Sequence, residues 1–254
     1  MKKTVLITGC SSGFGLETAR LFLDRGWHVV ATMRTPREDL LPASERLRVL
    51  PLDVADEASI AMAIAAAGPI DVLVNNAGVG LLGAFEAQSS ALCRETFETN
   101  VLGLMATTRA VLPQFRARRQ GVVVNVASTV TLKALPLLAV YAATKAAVVT
   151  FTESLALELA PLGIQARVVL PGMAQSTQFA ANAMPRSMVP PPEEYAPMLA
   201  QVLEGFQSYD GPVTTSPQVA EAIWRAATQA DCPIAQPAGD DAVAWAQTRP
   251  TRLV

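Results

Sequence analysis

Along this chain, short runs of aliphatic and β-branched residues alternate with longer stretches whose apolar positions recur at helical spacing. KTVLIT (3–8), WHVVATM (27–33), RLRVLPLD (46–53), IDVLVNNAG (70–78), GVVVNVAS (121–128) and IQARVVLPG (164–172) predict strands. Several are apolar at successive positions, so neither face is reserved for water. GFGLETARLFLDRG (13–26), DEASIAMAIAAAG (56–68), a long region from Ser89 to about Arg119 and a segment through Tyr141 to Leu159 predict the helices between them. Doubly apolar strands, each followed by a helix, predict a parallel sheet covered on both sides. The expected class is therefore α/β, a doubly wound, Rossmann-like sheet. No linker or composition break divides the pattern, so residues 1–254 are expected to form one domain. Residues 173–215 read differently, with prolines at 185, 190, 191 and 192 followed by the amphipathic MLAQVLEGFQSY. A long insertion of this kind is expected to cover a substrate site. SPQVAEAIWRAATQ (216–229) predicts a last core helix, opened by a serine cap and a proline in its first turn.

Composition narrows the function classes. Of 254 residues, 51% are hydrophobic and 17% charged, enough apolar material for a core buried on several sides. The formal net charge of −2 offers no electrostatic attraction to nucleic acid or an anionic membrane. Cys10, Cys93 and Cys232 show no CxxC spacing, which suits reduced thiols in the cytoplasm. TVLITG is too short for a signal core, and no apolar run reaches membrane-spanning length. His28 is the only histidine and no ligand cluster accompanies it, so no metal site is expected.

The chemistry lies in a few positions. Tyr141 and Lys145 are four residues apart on a predicted helix, about one turn, so their side chains leave the same face. A fixed ammonium favours the phenolate, and the pair reads as an acid/base with a lowered tyrosine pKa. Ser128, at the end of GVVVNVAS, is a hydroxyl able to polarise a carbonyl. Gly9, Gly13 and Gly15 of TGCSSGFG follow a strand and open a helix, where glycine backbone can approach a pyrophosphate and present amide donors. Their spacing is GxxxGxG rather than GxGxxG. Arg34 follows the second strand, the position that reads the adenosine ribose. A cation there suits a 2′-phosphate, with Ser11 and Ser12 as hydroxyl helpers, and a solvated loop arginine is the alternative. NADP(H) is favoured over NAD(H). Acid, cation, hydroxyl and dinucleotide loop together describe hydride transfer between a carbonyl and an alcohol.

These residues resemble the short-chain dehydrogenase/reductase family in its single-domain form. The matching segments are TGCSSGFG (8–15), LDV (52–54), NNAG (75–78), the asparagine of TNVLG (99–103), Ser128, YAATK (141–145) and PG (171–172), in the family's order. The resemblance implies that Tyr141 is the catalytic acid in reduction and the base in oxidation. Lys145 is implied as its partner and a ligand of the nicotinamide ribose, Ser128 as the carbonyl-polarising group, and Asn100 as organiser of a proton relay. Asp53 and Val54 are implied at the adenine, and Asn76, Ala77 and Gly78 along the adenosine side. Pro171 and Gly172 are implied beside the nicotinamide. Ser176 fills a slot where the family often has threonine, Thr177 coming one residue late.

Substrate-wall candidates are Val79 to Leu82, Val130, Leu135, Leu138, Met173 and Phe179, nearly all apolar. A lipophilic ketone or secondary alcohol suits such a wall. Family members commonly form dimers or tetramers, so a homodimer or homotetramer is expected. The competing reading is a dinucleotide-binding sensor or scaffold with little turnover, which would not need Asn100, Ser128, Tyr141 and Lys145 together.

Overall fold

In a computed structural model, residues 3–174 and 190–248 are described. Strands β1 (Thr4–Thr8), β2 (His28–Met33), β3 (Leu47–Pro51), β4 (Val72–Asn75), β5 (Gly121–Val126), β6 (Ile164–Pro171) and β7 (Ala235–Ala238) form one sheet. Its order is β3-β2-β1-β4-β5-β6-β7, and every neighbouring pair is parallel. The doubly wound class read from the strand pattern is thus the observed one. β7 is not signalled by the sequence: AQPA has no apolar run, and Pro237 fits there because β7 lies at the edge of the sheet.

The described helices are α1 (Gly13–Asp24), α2 (Glu57–Ala67), α3 (Ser90–Phe97), α4 (Gly103–Arg118), α5 (Ala139–Leu159), α6 (Ala196–Gln207), α7 (Ser216–Thr228) and α8 (Asp240–Gln247). Period-two alternation sorts the strand side chains between two cores. Val5 and Ile7 of β1 pack with Phe22 of α1 and Ile223 of α7, whereas Leu6 between them packs with Val111 and Phe115 of α4 and Leu155 of α5. Both faces are covered, which is why the strands read as continuous apolar runs.

Two local details differ from the sequence reading. The long region after Ser89 is not one regular helix: α3 passes into a π turn at Glu98–Leu102 before α4, and the Gly103 N–H donates to the Glu98 carbonyl. α7 is capped by Thr215 rather than Ser216. Thr215 and Gln218 satisfy each other's backbone N–H in a capping box, with a proline in the first turn as expected.

Candidate active site

In a sheet of this order the chain reverses direction between β1 and β4, and the crevice beyond the carboxyl ends of the strands opens there. The loop from β1 into α1 borders it. Gly9 and Gly13 have φ of 75° and 56°, a region open to glycine without strain. A Cβ on Gly15 would strike the Gly9 carbonyl and the Asn76 amide. Ser12, at the N-cap of α1, makes no side-chain cap bond, which leaves the first-turn N–H groups directed at the crevice. These features fit a pyrophosphate. Ser11 and Arg34 are exposed, and Arg34 makes no hydrogen bond or ion pair among the described residues, whereas Arg37 is paired with Asp39 at 2.6 Å.

Asn76 serves the loop as a brace: its Nδ2 donates to the carbonyls of Thr8 (2.9 Å) and Gly9 (3.1 Å). The Thr8 hydroxyl in turn accepts from the N–H groups of Asn76 and Ala77, both at 3.0 Å. Thr8 was not singled out in the sequence, since a threonine ending a strand carries no signal of its own. Asp53 follows β3, where its carboxylate accepts from Ala55 N at 3.0 Å. The Val54 carbonyl sits where a Cβ on Gly103 would collide, so Gly103 lets the start of α4 close on that loop.

Farther along the same edge, Tyr141, Lys145, Ser128 and Asn100 come together, at 7%, 5%, 8% and 1% exposure. The Ser128 side chain reaches the Tyr141 phenol, and its oxygen also accepts from Val130 N at 3.3 Å. Lys145 Nζ donates to the Val126 carbonyl at 3.0 Å and lies 5.8 Å from the Tyr141 ring centre. Asn100, inside the π turn, accepts from Val79 N at 2.8 Å. Its Nδ2 donates to the Val79 carbonyl at 2.9 Å and to the Thr144 hydroxyl at 3.1 Å. Thr144 donates to the Tyr141 carbonyl at 2.7 Å, joining Asn100 to the tyrosine's own turn. The sequence marks Thr144 only by its place between Tyr141 and Lys145 in YAATK.

Burial sets the protonation states. The Tyr141 phenol is pushed up to about 12 by burial, with the Ser128 hydrogen bond pulling the other way. The lowering expected from Lys145 is not found: the phenol is raised, Lys145 is not among the groups that shift it, and Tyr141 keeps its proton at neutral pH. Burial brings Lys145 down to about 8.

The outer wall is made of two loops. Val130 and Leu138 are half-buried around the turn at Thr129–Thr131 and the start of α5. Leu137, buried with φ of 64°, turns its carbonyl to accept from Gly83 N at 2.8 Å and ties this loop to the one after β4. A leucine in the left-handed region has no sequence signature. Pro171 ends β6, and Gly172 and Met173 follow it, half-buried. Ala127 N donates to the Val169 carbonyl at 2.9 Å, which sets Ser128 beside this exit. Ser176 and Phe179 lie outside the described residues. Among the described residues, no group of three His, Cys, Asp or Glu side chains could hold a metal ion. No described helix is long and apolar enough to cross a membrane. Cys10 is buried in the glycine loop, its thiol pushed up to about 12 by burial, which leaves it unreactive.

Comparison with known proteins agrees with this arrangement. A family model described as short chain dehydrogenase matches residues 3–187. The chain is 35% identical over 240 residues to the uncharacterized oxidoreductase YusZ of Bacillus subtilis, covering 90% of this chain and 85% of that protein. It is 42% identical over 181 residues to human retinol dehydrogenase 8, covering 67% of this chain and 58% of the relative's length. A crystal structure of a short-chain dehydrogenase from Streptomyces avermitilis superposes with a TM-score of 0.83 at 32% identity, over 97% of this chain and 91% of that one. ElxO with NADP bound (TM-score 0.76, 27% identity, 94% and 97% covered) and a 3-ketoacyl-(acyl-carrier-protein) reductase from Brucella melitensis complexed with NADH (0.76, 30%, 92% and 96%) share the fold. A nicotinamide dinucleotide is therefore the cofactor class of these neighbours. With most of its length matched by the family model, and close relatives along nearly all of it, the chain belongs to the short-chain dehydrogenase family of oxidoreductases.

Proposed function

We propose that this protein transfers hydride between NADP(H) and a lipophilic ketone or secondary alcohol. The observation that carries the reading is the buried contact of Ser128 with the protonated Tyr141, one helical turn from Lys145 and beside the glycine loop's crevice. When bound, the nicotinamide ring supplies or accepts the hydride. Gly9, Gly13 and the open N-terminus of α1 would hold the pyrophosphate. Arg34, unpaired among the described residues and just after β2, would take the 2′-phosphate. Ser128 donates to the carbonyl oxygen and orients it. Tyr141 gives its proton to that oxygen as negative charge develops, and takes it back in the oxidative direction. Lys145 stabilises the phenolate left behind, and Asn100 keeps the Tyr141–Lys145 turn and the 78–79 backbone in register.

Apolar Val130, Leu138 and Met173 at the wall support a lipophilic substrate. So do two relatives whose names specify a retinol and a 3-ketodihydrosphingosine. Residues 173–215 would form the substrate cover. Its described part reaches back to the loop after β4 through the hydrogen bond of the Tyr195 hydroxyl to Glu86 at 2.9 Å.

The test is NADPH oxidation with all-trans-retinal and decanal as carbonyl probes, beside fluorescence titrations with NADPH and NADH. The wild type should turn over and bind NADPH more tightly. Tyr141→Phe should lose about 10³-fold or more in kcat while keeping NADPH affinity, because only the proton donor is gone. Arg34→Ala should remove the preference for NADPH. Full turnover by Tyr141→Phe would defeat the proposed chemistry. Equal binding of the two cofactors by the wild type would defeat the role of Arg34 alone.

A further inference from the structure

Beyond the residues that would meet substrate or cofactor, one buried carboxylate stands apart. Asp241, in the first turn of α8, is 1% exposed and has no ion pair among the described residues. Burying an unpaired carboxylate is costly unless donors are aimed at it. Here they are: Met173 N donates to Oδ2 at 2.6 Å, and the Thr214 hydroxyl donates to Oδ1 at 2.6 Å. The Thr214 oxygen accepts from Gly172 N at 3.0 Å, and Thr214 N donates to the Met173 carbonyl at 2.8 Å. Thr214 is itself 1% exposed. Two glycines clear the space: a Cβ on Gly172 would strike the Asp241 carboxylate, and one on Gly239 would strike the Thr214 hydroxyl.

From this we infer that Asp241, with Thr214, is a positioning residue that sets the backbone of Gly172–Met173 at the exit of β6. The inference rests on the hydride-transfer reading above. The exit of β6 lies beside Ser128, held there by the bond from Ala127 N to the Val169 carbonyl. A displacement of Gly172–Met173 therefore moves the wall next to the group that polarises the carbonyl. α8 also meets the loop on the other side of Ser128, where Lys133 Nζ sits 5.2 Å from the Trp245 ring centre. The C-terminal helix thus holds both loops that flank Ser128, one by a buried carboxylate and the other by a cation–π contact. Gly172, taken on resemblance alone as a neighbour of the nicotinamide, is glycine for a reason internal to the protein: it makes room for this carboxylate.

The test uses the purified full chain with NADPH and the same carbonyl probes, reading kcat, KM, NADPH dissociation constant, thermal midpoint and the primary isotope effect with NADPH deuterated at the transferred position. Asp241→Ala should lower kcat by about 10²-fold, the scale of a misplacement near 1 Å, with the NADPH dissociation constant within about threefold. The isotope effect should rise as hydride transfer becomes limiting. Asp241→Asn should stay within about tenfold of the wild type. With its amide turned, it still accepts from Met173 and donates to Thr214, whose proton then goes to the Ala238 carbonyl 3.0 Å away. A structural role alone would shift the thermal midpoint and leave kcat per folded molecule and the isotope effect unchanged, which would overturn the inference. If Asp241→Ala does not fold, Thr214→Val decides on the same readouts. A wild type that oxidises NADPH with neither probe would count against the functional reading, whereas an active wild type with indifferent variants would count against Asp241 alone.

Discussion

Lys145 is the residue at which burial and chemistry pull in opposite directions, and pH separates them. In the folded chain its ammonium loses its proton at about 8, against 10.5 for the unburied group. Between those values the unfolded chain holds the proton and the folded chain does not, so stability should rise with pH across that window. Tyr141 works the other way but later: pushed up to about 12 from 10.0, it stays neutral when folded and lowers stability only above pH 10. Activity should do the reverse of stability from pH 8 to 10. kcat/KM for carbonyl reduction reports the free enzyme and should decline as Lys145 loses its charge. Urea unfolding and initial rates over that range, on wild type and Lys145→Met, would show both trends. The variant should lose the stability rise, and parallel behaviour of the two proteins would remove Lys145 as the group responsible. The positions of Tyr141, Lys145 and Ser128 were legible because one turn of helix and one strand end suffice to place them. Their pKa values were not, because desolvation depends on what covers them.

The glycine loop shows how far local pattern carries. A strand, three glycines and a helix identify the turn, and the positive φ at Gly9 and Gly13 is what those glycines are for. The need for glycine at position 15 comes both from the Gly9 carbonyl within the loop and from a partner 61 positions away, Asn76, whose amide shares the space a Cβ would take. Gly15→Ala should cost about 1–3 kcal/mol of stability and weaken NADPH binding about tenfold or more, as the loop is forced outward. Gly205→Ala, with nothing near the added methyl and an ordinary helical φ, should be neutral or slightly stabilising. Thermal unfolding and a cofactor titration on both variants would check this, and equal effects would refute a specific clash. The π turn at Glu98–Leu102 and the left-handed Leu137 belong with Asn76. Each lies where a group distant in sequence bonds to it, Val79 to Asn100 and Gly83 to Leu137.

Across the molecule, the apolar surface left uncovered is informative. Leu157 of α5 is 74% exposed and Leu102, at the entry to α4, is 50% exposed, whereas Val111 and Phe115 of α4 and Leu155 and Leu159 of α5 pack on the sheet. We propose that the expected homo-oligomer is joined through Leu157, and a stable interface needs roughly 1,200–2,000 Å² in all. Leu157→Arg should therefore lower the assembly mass in sedimentation equilibrium without changing helix content. An unchanged mass would exclude Leu157 from the interface. The class of the fold was written in the chain because a sheet buried on both faces demands doubly apolar strands, a demand met residue by residue in β1, β4, β5 and β6. The positions of Tyr141, Lys145, Ser128 and the glycine turn could be read there too, since each needs only neighbours within a turn or a loop. β7, the bracing of the glycine loop by Asn76, the link from Asn100 through Thr144 and the hold of Asp241 on Gly172–Met173 were decided by tertiary structure. They depend on groups brought together from positions 44 to 68 residues apart, and no local period or spacing encodes where a distant carboxylate or amide will come to rest.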